Sequence, residues 1–405
     1  MSPRPSPSQA RRRVCVIRQH YVPQDTRVAR AVAALAASGC EVDVICLRNR
    51  GEPRLERDGR VRIIRVPLRH PRGRGAGGYL AAYGGFFLVA ASLATALHAR
   101  HRYRLLQVHS LPDVLVFAAA LPHLLGARVL LDLQECMPEF LAAKFGTPLD
   151  HPAVRLVAAL EQWSIRFADL VITPSEGMAA TFAARGADEA KITVVMDGAD
   201  EDVFRPPAHP APRAGSRFTL LCHGTVEERY GLDLVIRAVA LLRDEIPELR
   251  FEVYGDGFYL DELRRLAARL GVEDRVYFSG GFVPVDELLA AIAAADVGVV
   301  AMKRDRFRDL TLAGKTFDFI ALRRPVVASR TRSVERAFDA CSVELFESGD
   351  VEDLARAVRV LHADPERRRR MAERAAEVAE PYRWVHQRER YLRVVERLLD
   401  EGGPP

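Results

Sequence analysis

Apolar runs of strand length alternate with helical stretches twice along this chain, and a proline- and glycine-rich break separates the two series. The first series is VCVIRQ (14–19), EVDVICL (41–47), VRIIRVPL (61–68), LLQVHS (105–110), ARVLLDL (127–133), DLVITPS (169–175) and ITVVM (192–196). After FRPPAHPAPRAGSR (204–217) it restarts with FTLLCHG (218–224), RFEVYGDG (250–257), RVYFSGG (275–281), VGVVAM (297–302), PVVAS (325–329) and CSVELFE (341–347). Short runs that are apolar throughout belong to strands buried on both faces, and helices between such strands build a covered parallel sheet. RVARAVAALAASG (27–39) is one of these helices, with Gly39 just past its end. The chain's 405 residues also exceed what one core accommodates. The expected fold class is therefore α/β: two Rossmann-like, doubly wound parallel-sheet domains facing across a cleft. The boundaries read as a disordered arm over 1–12, a first domain over 13–203, a linker over 204–217 and a second domain over 218–380. A C-terminal helix over 381–400 is expected to pack back on the first domain. Ligands of such sheets bind at the carboxyl ends of the strands.

Charge is unevenly spread. Residues 1–104 hold 20 Lys and Arg against 6 Asp and Glu, an excess of +14, while the net charge of the chain is +5. A segment this basic wants an anionic partner or is a solvated arginine-rich surface. Nucleic acid is not expected, because Tyr79, Tyr83, Phe86 and Phe87 lie in an uncharged run rather than among the arginines. That run, residues 77–97, has no charge over a length that could span a bilayer. Its glycines and alanines, and its place where the alternation needs a helix, favour a sheet-covering helix over an interfacial or spanning one. Six scattered cysteines without a C-x-x-C pair fit reduced thiols in a cytoplasm. MSPRPSPSQARRR at the start has no apolar stretch, so no secretory signal is expected there. The localisation read from this is cytoplasmic, with an anionic membrane surface as a possible partner.

Glycine-ended strands recur in the second half. HGTVEERYGLDLVIRAVALL (223–242) passes from a strand through a loop with Arg229 into an amphipathic helix, a combination suited to a diphosphate. YGDG (254–257) and GGFVP (280–284) follow the next two strands, and GKTFDFIALRRPVVAS (314–329) adds Lys315 and Asp318 on one helical face. Those two charges could simply cap a solvated helix start, or hold a ligand at a strand end. No G-x-G-x-x-G follows the first strand, and there is no P-loop or G-x-S-x-G. The D-x-D within DGADED (197–202) reads as a turn before the linker, and neither a metal nor a cofactor is expected.

The order G…ERYGLD…IRA, YGDG, GFVP and K-x-F-D-F-x-A-L-x-x-P-V-V-A-S resembles retaining glycosyltransferases of family 4, which have the GT-B fold. YVPQDTRVARAVAALAASGCEVDVICLR, VHSLPD, LDLQECMPEFLAAKFG and KITVVMDGADEDVFRP look like the same family's first domain. The resemblance implies sugar transfer from a nucleotide-sugar donor, UDP- or GDP-linked, to a saccharide or lipid-linked acceptor in cell-surface glycan synthesis. It places the donor on the second domain, at Gly224, Thr225, Arg229, Gly255, Gly257, Val283, Lys315 and Asp318. The family's phosphate-binding Arg and Lys are replaced by Thr225 and Tyr230, with Arg229 as the substitute cation. Asp318 takes the place of the acid on the ribose. The family's first acid falls on Leu310, with Asp309 one position away. In the first domain Gln134 stands where the family often has histidine. Glu135 and His109 are the catalytic candidates, and His20, Asp113 and Gln134 the acceptor-binding ones. A nucleotide-sugar epimerase of the same fold, or a non-catalytic glycosyltransferase-like partner protein, are the competing expectations.

Overall fold

The computed structural model describes residues 12–69, 76–205, 217–281 and 283–400. Most of the arm expected over 1–12, most of the linker expected over 204–217, and Phe282 of the GFVP stretch lie outside the described residues. The chain divides into two compact units, residues 1–196 with 387–405, and residues 197–386. This moves the expected boundaries, because 197–203 and 381–386 group with the second unit. Packing explains the shift. A Cβ on Gly198 would stand 1.8 Å from the Tyr382 carbonyl oxygen, and Arg383 pairs with Glu201 at 3.0 Å.

The first unit is built on an eight-stranded sheet: β1 (Arg13–Tyr21), β2 (Glu41–Leu47), β3 (Leu55–Asp58), β4 (Val61–Val66), β5 (Leu105–His109), β6 (Arg128–Asp132), β7 (Leu170–Thr173) and β8 (Ile192–Val194). Their spatial order is β3-β4-β2-β1-β5-β6-β7-β8. All neighbours are parallel except β3 and β4. β3 is absent from the sequence reading because LERD is exposed at every position and has no apolar alternation. It is held instead by antiparallel pairing with β4 across the turn at Gly59. Residues 387–400 of the C-terminal helix Trp384–Asp400 pack in this unit, burying Tyr391, Val395, Leu398 and Leu399. Their stitches are Met196 N–H donating to Gln387 Oε1 at 2.9 Å and Arg390 donating to the Val194 carbonyl at 3.1 Å.

Two helices of this unit matter below: α1 (Thr26–Ala37) and α2 (Ala76–His101). Asp25 starts α1 by accepting from the Val28 amide at 3.2 Å, a cap of about 1 kcal/mol. α2 corrects the expectation of a helix buried against the sheet. Phe86, Ala90, Ala94 and His98, four apart, are buried, while Leu88 and Val89 stay exposed. Only one stripe of a helix can face the layer beneath it, and among the described residues nothing covers the other.

The second unit carries a six-stranded, all-parallel sheet of order β11-β10-β9-β12-β13-β14. Its strands are β9 (Phe218–His223), β10 (Leu249–Tyr254), β11 (Val276–Phe278), β12 (Val297–Val300), β13 (Val326–Ser329) and β14 (Glu344–Phe346). Leu220, Phe251, Val235, Val239, Leu354 and Val358 lie in one buried cluster of sheet and helix side chains, each aliphatic one contributing about 1.5–3 kcal/mol. The strand order reverses direction between β1 and β5 in one sheet and between β9 and β12 in the other. Those are the points where diverging connections leave a crevice at the strands' carboxyl ends.

Candidate functional site

In the second unit, β9 ends at His223 and the chain turns through Gly224, whose φ is +98°. The Gly224 and Val226 amides donate to the Tyr254 and Asp256 carbonyls at 2.8 and 2.9 Å. The loop after β10 therefore lies directly against the loop after β9. That approach needs Gly255 and Gly257: a Cβ on them would stand 1.9 Å from Gly224 O and 2.1 Å from Val226 O. The two glycines shape the crevice by packing, rather than by leaving open space above themselves.

The helix Gly314–Ala321 brings the charged groups. Phe319 fixes its depth, because the ring occupies the space a Cβ would take on Gly298 of β12. Ala313 supplies no side-chain cap; the Thr316 amide donates to the Ala313 carbonyl at 3.0 Å, and the Gly314 and Lys315 amides ahead of it need another partner. Lys315 Nζ lies over Gly224, 3.9 Å from where a Cβ would stand, 3.8 Å from Cys222 Sγ and 4.3 Å from the Tyr230 ring centroid. Among the described residues it makes no ion pair. Asp318, on the same helical face, has Oδ2 3.5 Å from His223 Nε2.

His223 is the residue the sequence reading missed. It is buried and packs edge-on against Phe319, ring centroids 5.2 Å apart. Burial, with the Lys315 charge adding to it, pushes its pKa down to about 3. At neutral pH it is an uncharged imidazole beside a carboxylate. A polar residue closing the apolar run FTLLC was the available signal.

Arg229 does not stand ready for a phosphate: its Nε is 2.6 Å from Glu227 Oε2. Thr225 is exposed beside Gly224. Val283 lies in the connection leaving β11, the strand at the sheet's edge. Leu310 ends a helical turn, and neighbouring Asp309 is held by Arg304 Nε at 2.9 Å and the Arg332 amide at 3.0 Å. Asp309 therefore does not replace the missing acid. Asp200 accepts from the Asp202 amide at 2.9 Å, so the D-x-D is a turn. Among the described residues no three His, Cys, Asp or Glu side chains gather as a metal-binding group.

In the first unit β5, β6, α1 and the C-terminal helix share one buried network. The Tyr391 hydroxyl donates to Gln107 Oε1 at 2.6 Å, and Gln107 Nε2 is 3.1 Å from His109 Nε2. His109 Nδ1 is 2.9 Å from Asp132 Oδ2, and Arg27 of α1 donates two bonds to Asp132 at 2.8 and 2.9 Å. Burial alone would raise the Asp132 carboxyl, but the Arg27 charge and the His109 contact outweigh it and hold the group well below the usual range.

This corrects the catalytic reading of His109. It is wholly buried with both ring nitrogens engaged, so it holds Asp132 and Gln107 rather than touching a substrate. Asp113 is likewise buried, and burial, then Glu161 and Glu135, raise its carboxyl well above the usual range. It is a buried carboxyl inside the fold rather than an exposed acceptor contact. His20, Gln134 and Glu135 are half-buried and reach the surface. Gln134 accepts from Arg18 at 3.3 Å, and its amide donates to Ser110 Oγ at 3.0 Å. Beneath them Arg185 pairs with Glu139 and Glu161, a buried cluster the sequence reading did not assemble.

Two parallel-sheet α/β units, one carrying a lysine and an aspartate at its switch point, define a protein of the GT-B class. Comparison with known proteins agrees. Residues 24–198 match the model of the glycosyl transferase 4-like domain, and residues 217–364 that of glycosyl transferases group 1. The chain belongs to the family 4-type glycosyltransferases. It is 32% identical over 210 residues to a GDP-mannose-dependent alpha-(1-6)-phosphatidylinositol monomannoside mannosyltransferase of Mycolicibacterium smegmatis, a match covering 49% of this chain and about half, 54%, of that protein. It is 29% identical over 362 residues to the 2-deoxystreptamine glucosyltransferase of Streptomyces kanamyceticus, covering 84% of this chain and 89% of the relative. Among solved structures, sucrose-phosphate synthase from Thermosynechococcus elongatus superposes with a TM-score of 0.76 at 19% identity, over 96% of this chain and all of that one. Anabaena HepE in complex with UDP-glucose gives 0.71 at 15% identity, over 95% and 99%.

Proposed function

We infer that this protein moves a hexosyl unit from a UDP- or GDP-sugar to a hydroxyl of a saccharide or lipid-linked acceptor, with retention at the anomeric carbon. The observation that carries this reading is the placement of Lys315 over Gly224, with Asp318 beside His223, at the switch point of the second sheet. A diphosphate suits the Lys315 ammonium, which has no ion pair among the described residues, and the Gly314 and Lys315 amides at the start of the Gly314–Ala321 helix. Ribose hydroxyls suit the Asp318 carboxylate, with neutral His223 behind it. As the bond from the anomeric carbon to the diphosphate oxygen breaks, the acceptor oxygen bonds on the same face. The acceptor proton passes to the departing phosphate. Lys315 then stabilises the charge that develops on the leaving group. His20, Gln134 and Glu135 are the first-unit groups assigned to the acceptor.

The mannosyltransferase relative, named for a phosphatidylinositol mannoside, supports the lipid-linked acceptor. The relative named for 2-deoxystreptamine spans more of the chain and favours a second reading, a small cyclitol acceptor. Incubation with labelled UDP- and GDP-sugars, with and without each acceptor class, separates the two. Transfer or slow donor hydrolysis is expected from one nucleotide series, with the product's anomeric configuration read by NMR. Isomerised donor, or no turnover of any nucleotide sugar, would refute the reading.

A further inference from the structure

The exposed side of α2 takes no part in the chemistry above. Leu88 there is 66% exposed, and the helix α3 (Ala120–Leu124), which packs against α2, ends with Leu124 at 80%. Leu121 and Leu125 are more than half exposed as well. Single exposed leucines need no explanation, but several on two helices that pack together do. Along the chain the charge near them is one-sided. From Gly59 to Leu131 the sequence has ten arginines and one acidic residue, Asp113, and Asp113 is buried.

At the carboxyl end of α2 a cavity of about 290 Å³ is lined by Arg13, Arg57, Arg60, Arg62 and His101, with Glu41 and Asp43. Arg13 and Arg62 are paired with those two carboxylates. Among the described residues Arg57 and Arg60 have no acidic partner, Arg60 donating only to the Gly39 carbonyl at 3.1 Å.

We propose that α2 and α3 form a docking surface for an anionic lipid bilayer. Leu88, Leu121, Leu124 and Leu125 enter the headgroup–acyl boundary, and Arg57, Arg60 and Arg100 meet lipid phosphates. The segment Ala81–His101 is long and apolar enough to cross a membrane, but its Phe86–Ala90–Ala94–His98 stripe is committed to the fold, so the helix lies on the bilayer instead. A second copy of the chain is the poorer occupant, since a two-fold contact would set arginines against arginines. The proposal rests on the transferase reading only for its purpose, a lipid-borne acceptor. Its test measures binding without turnover.

The experiment is flotation of the full chain with phosphatidylglycerol–phosphatidylcholine vesicles and with pure phosphatidylcholine vesicles, at low and high salt. Binding to the anionic vesicles at low salt, and release at high salt, are expected. Leu124→Glu should lower partitioning about tenfold, and Arg60→Gln about fivefold, both with unchanged thermal melting. No binding to the anionic vesicles, extraction only by detergent, or full binding by both variants would overturn the proposal. So would a dimer in light scattering that Leu124→Glu dissociates. If the wild-type protein binds vesicles yet turns over no nucleotide sugar, the transferase reading fails and the docking surface stands.

Discussion

Replacing Lys315 with alanine tests the donor site most directly. Its ammonium stands over Gly224 with no ion pair among the described residues, so a phosphate would not have to displace a carboxylate. A charge-assisted hydrogen bond of this kind contributes about 1.5–3 kcal/mol, which is roughly a tenfold to hundredfold change in affinity. The fold loses little, because the contact with the Tyr230 ring is worth about 0.5–1 kcal/mol. Arg229→Ala is the matched control. Arg229 must leave Glu227, 2.6 Å away, before it can serve a phosphate, so its loss should weaken binding less than about fivefold. Calorimetry with UDP, GDP and their sugars measures both variants against the wild-type protein. Unchanged affinity in Lys315→Ala, or a larger loss in Arg229→Ala, would refute the assignment of phosphate to Lys315.

Asp318→Asn should cost less than Lys315→Ala, since an amide still bonds a ribose hydroxyl; if it alone abolished turnover, Asp318 would belong to the chemistry. Gly257→Ala should destabilise the second unit by about 1–3 kcal/mol and weaken donor binding, seen together in melting and calorimetry, because its Cβ would meet Val226 O at 2.1 Å. Arg27→Met removes the cationic partner of the buried Asp132 charge, leaving only the His109 contact, and should cost about 3–5 kcal/mol in denaturant unfolding. Because the Asp132 carboxyl lies below its unfolded value, its contribution to stability is complete above that value and lost as pH falls towards the folded one. Acid unfolding of the wild-type protein should carry this term and Asp132→Asn should lack it. His223 stays neutral down to about pH 3, so it should show no NMR titration across the ordinary histidine range.

Most strands were legible because a buried parallel strand must be apolar throughout, as LLQVH and VVAS are. β3 was not, since an exposed edge strand carries no such pattern. The uncharged run at 77–97 shows the limit of composition: hydropathy sees the helix, but which stripe of α2 is covered depends on the sheet it meets. On the donor side, Lys315 and Asp318 were legible because their spacing and a local motif put them on one helical face. His109 and Asp113 were misplaced because the sequence gives their position at a strand end and not their depth.

By itself, then, the sequence determined the two α/β units, the order of their apolar strands along the chain and the helix that carries Lys315 and Asp318, all of which rest on short-range periodicity and turn chemistry. The tertiary structure alone decided that His223 stands behind Asp318, that Arg229 is held by Glu227 and that His109 is buried between Gln107 and Asp132. It also decided that Tyr391, 284 residues from Gln107, completes that buried network. Desolvation and charge pairing depend on distance in space, and neighbours brought together by folding leave no periodic trace in the chain.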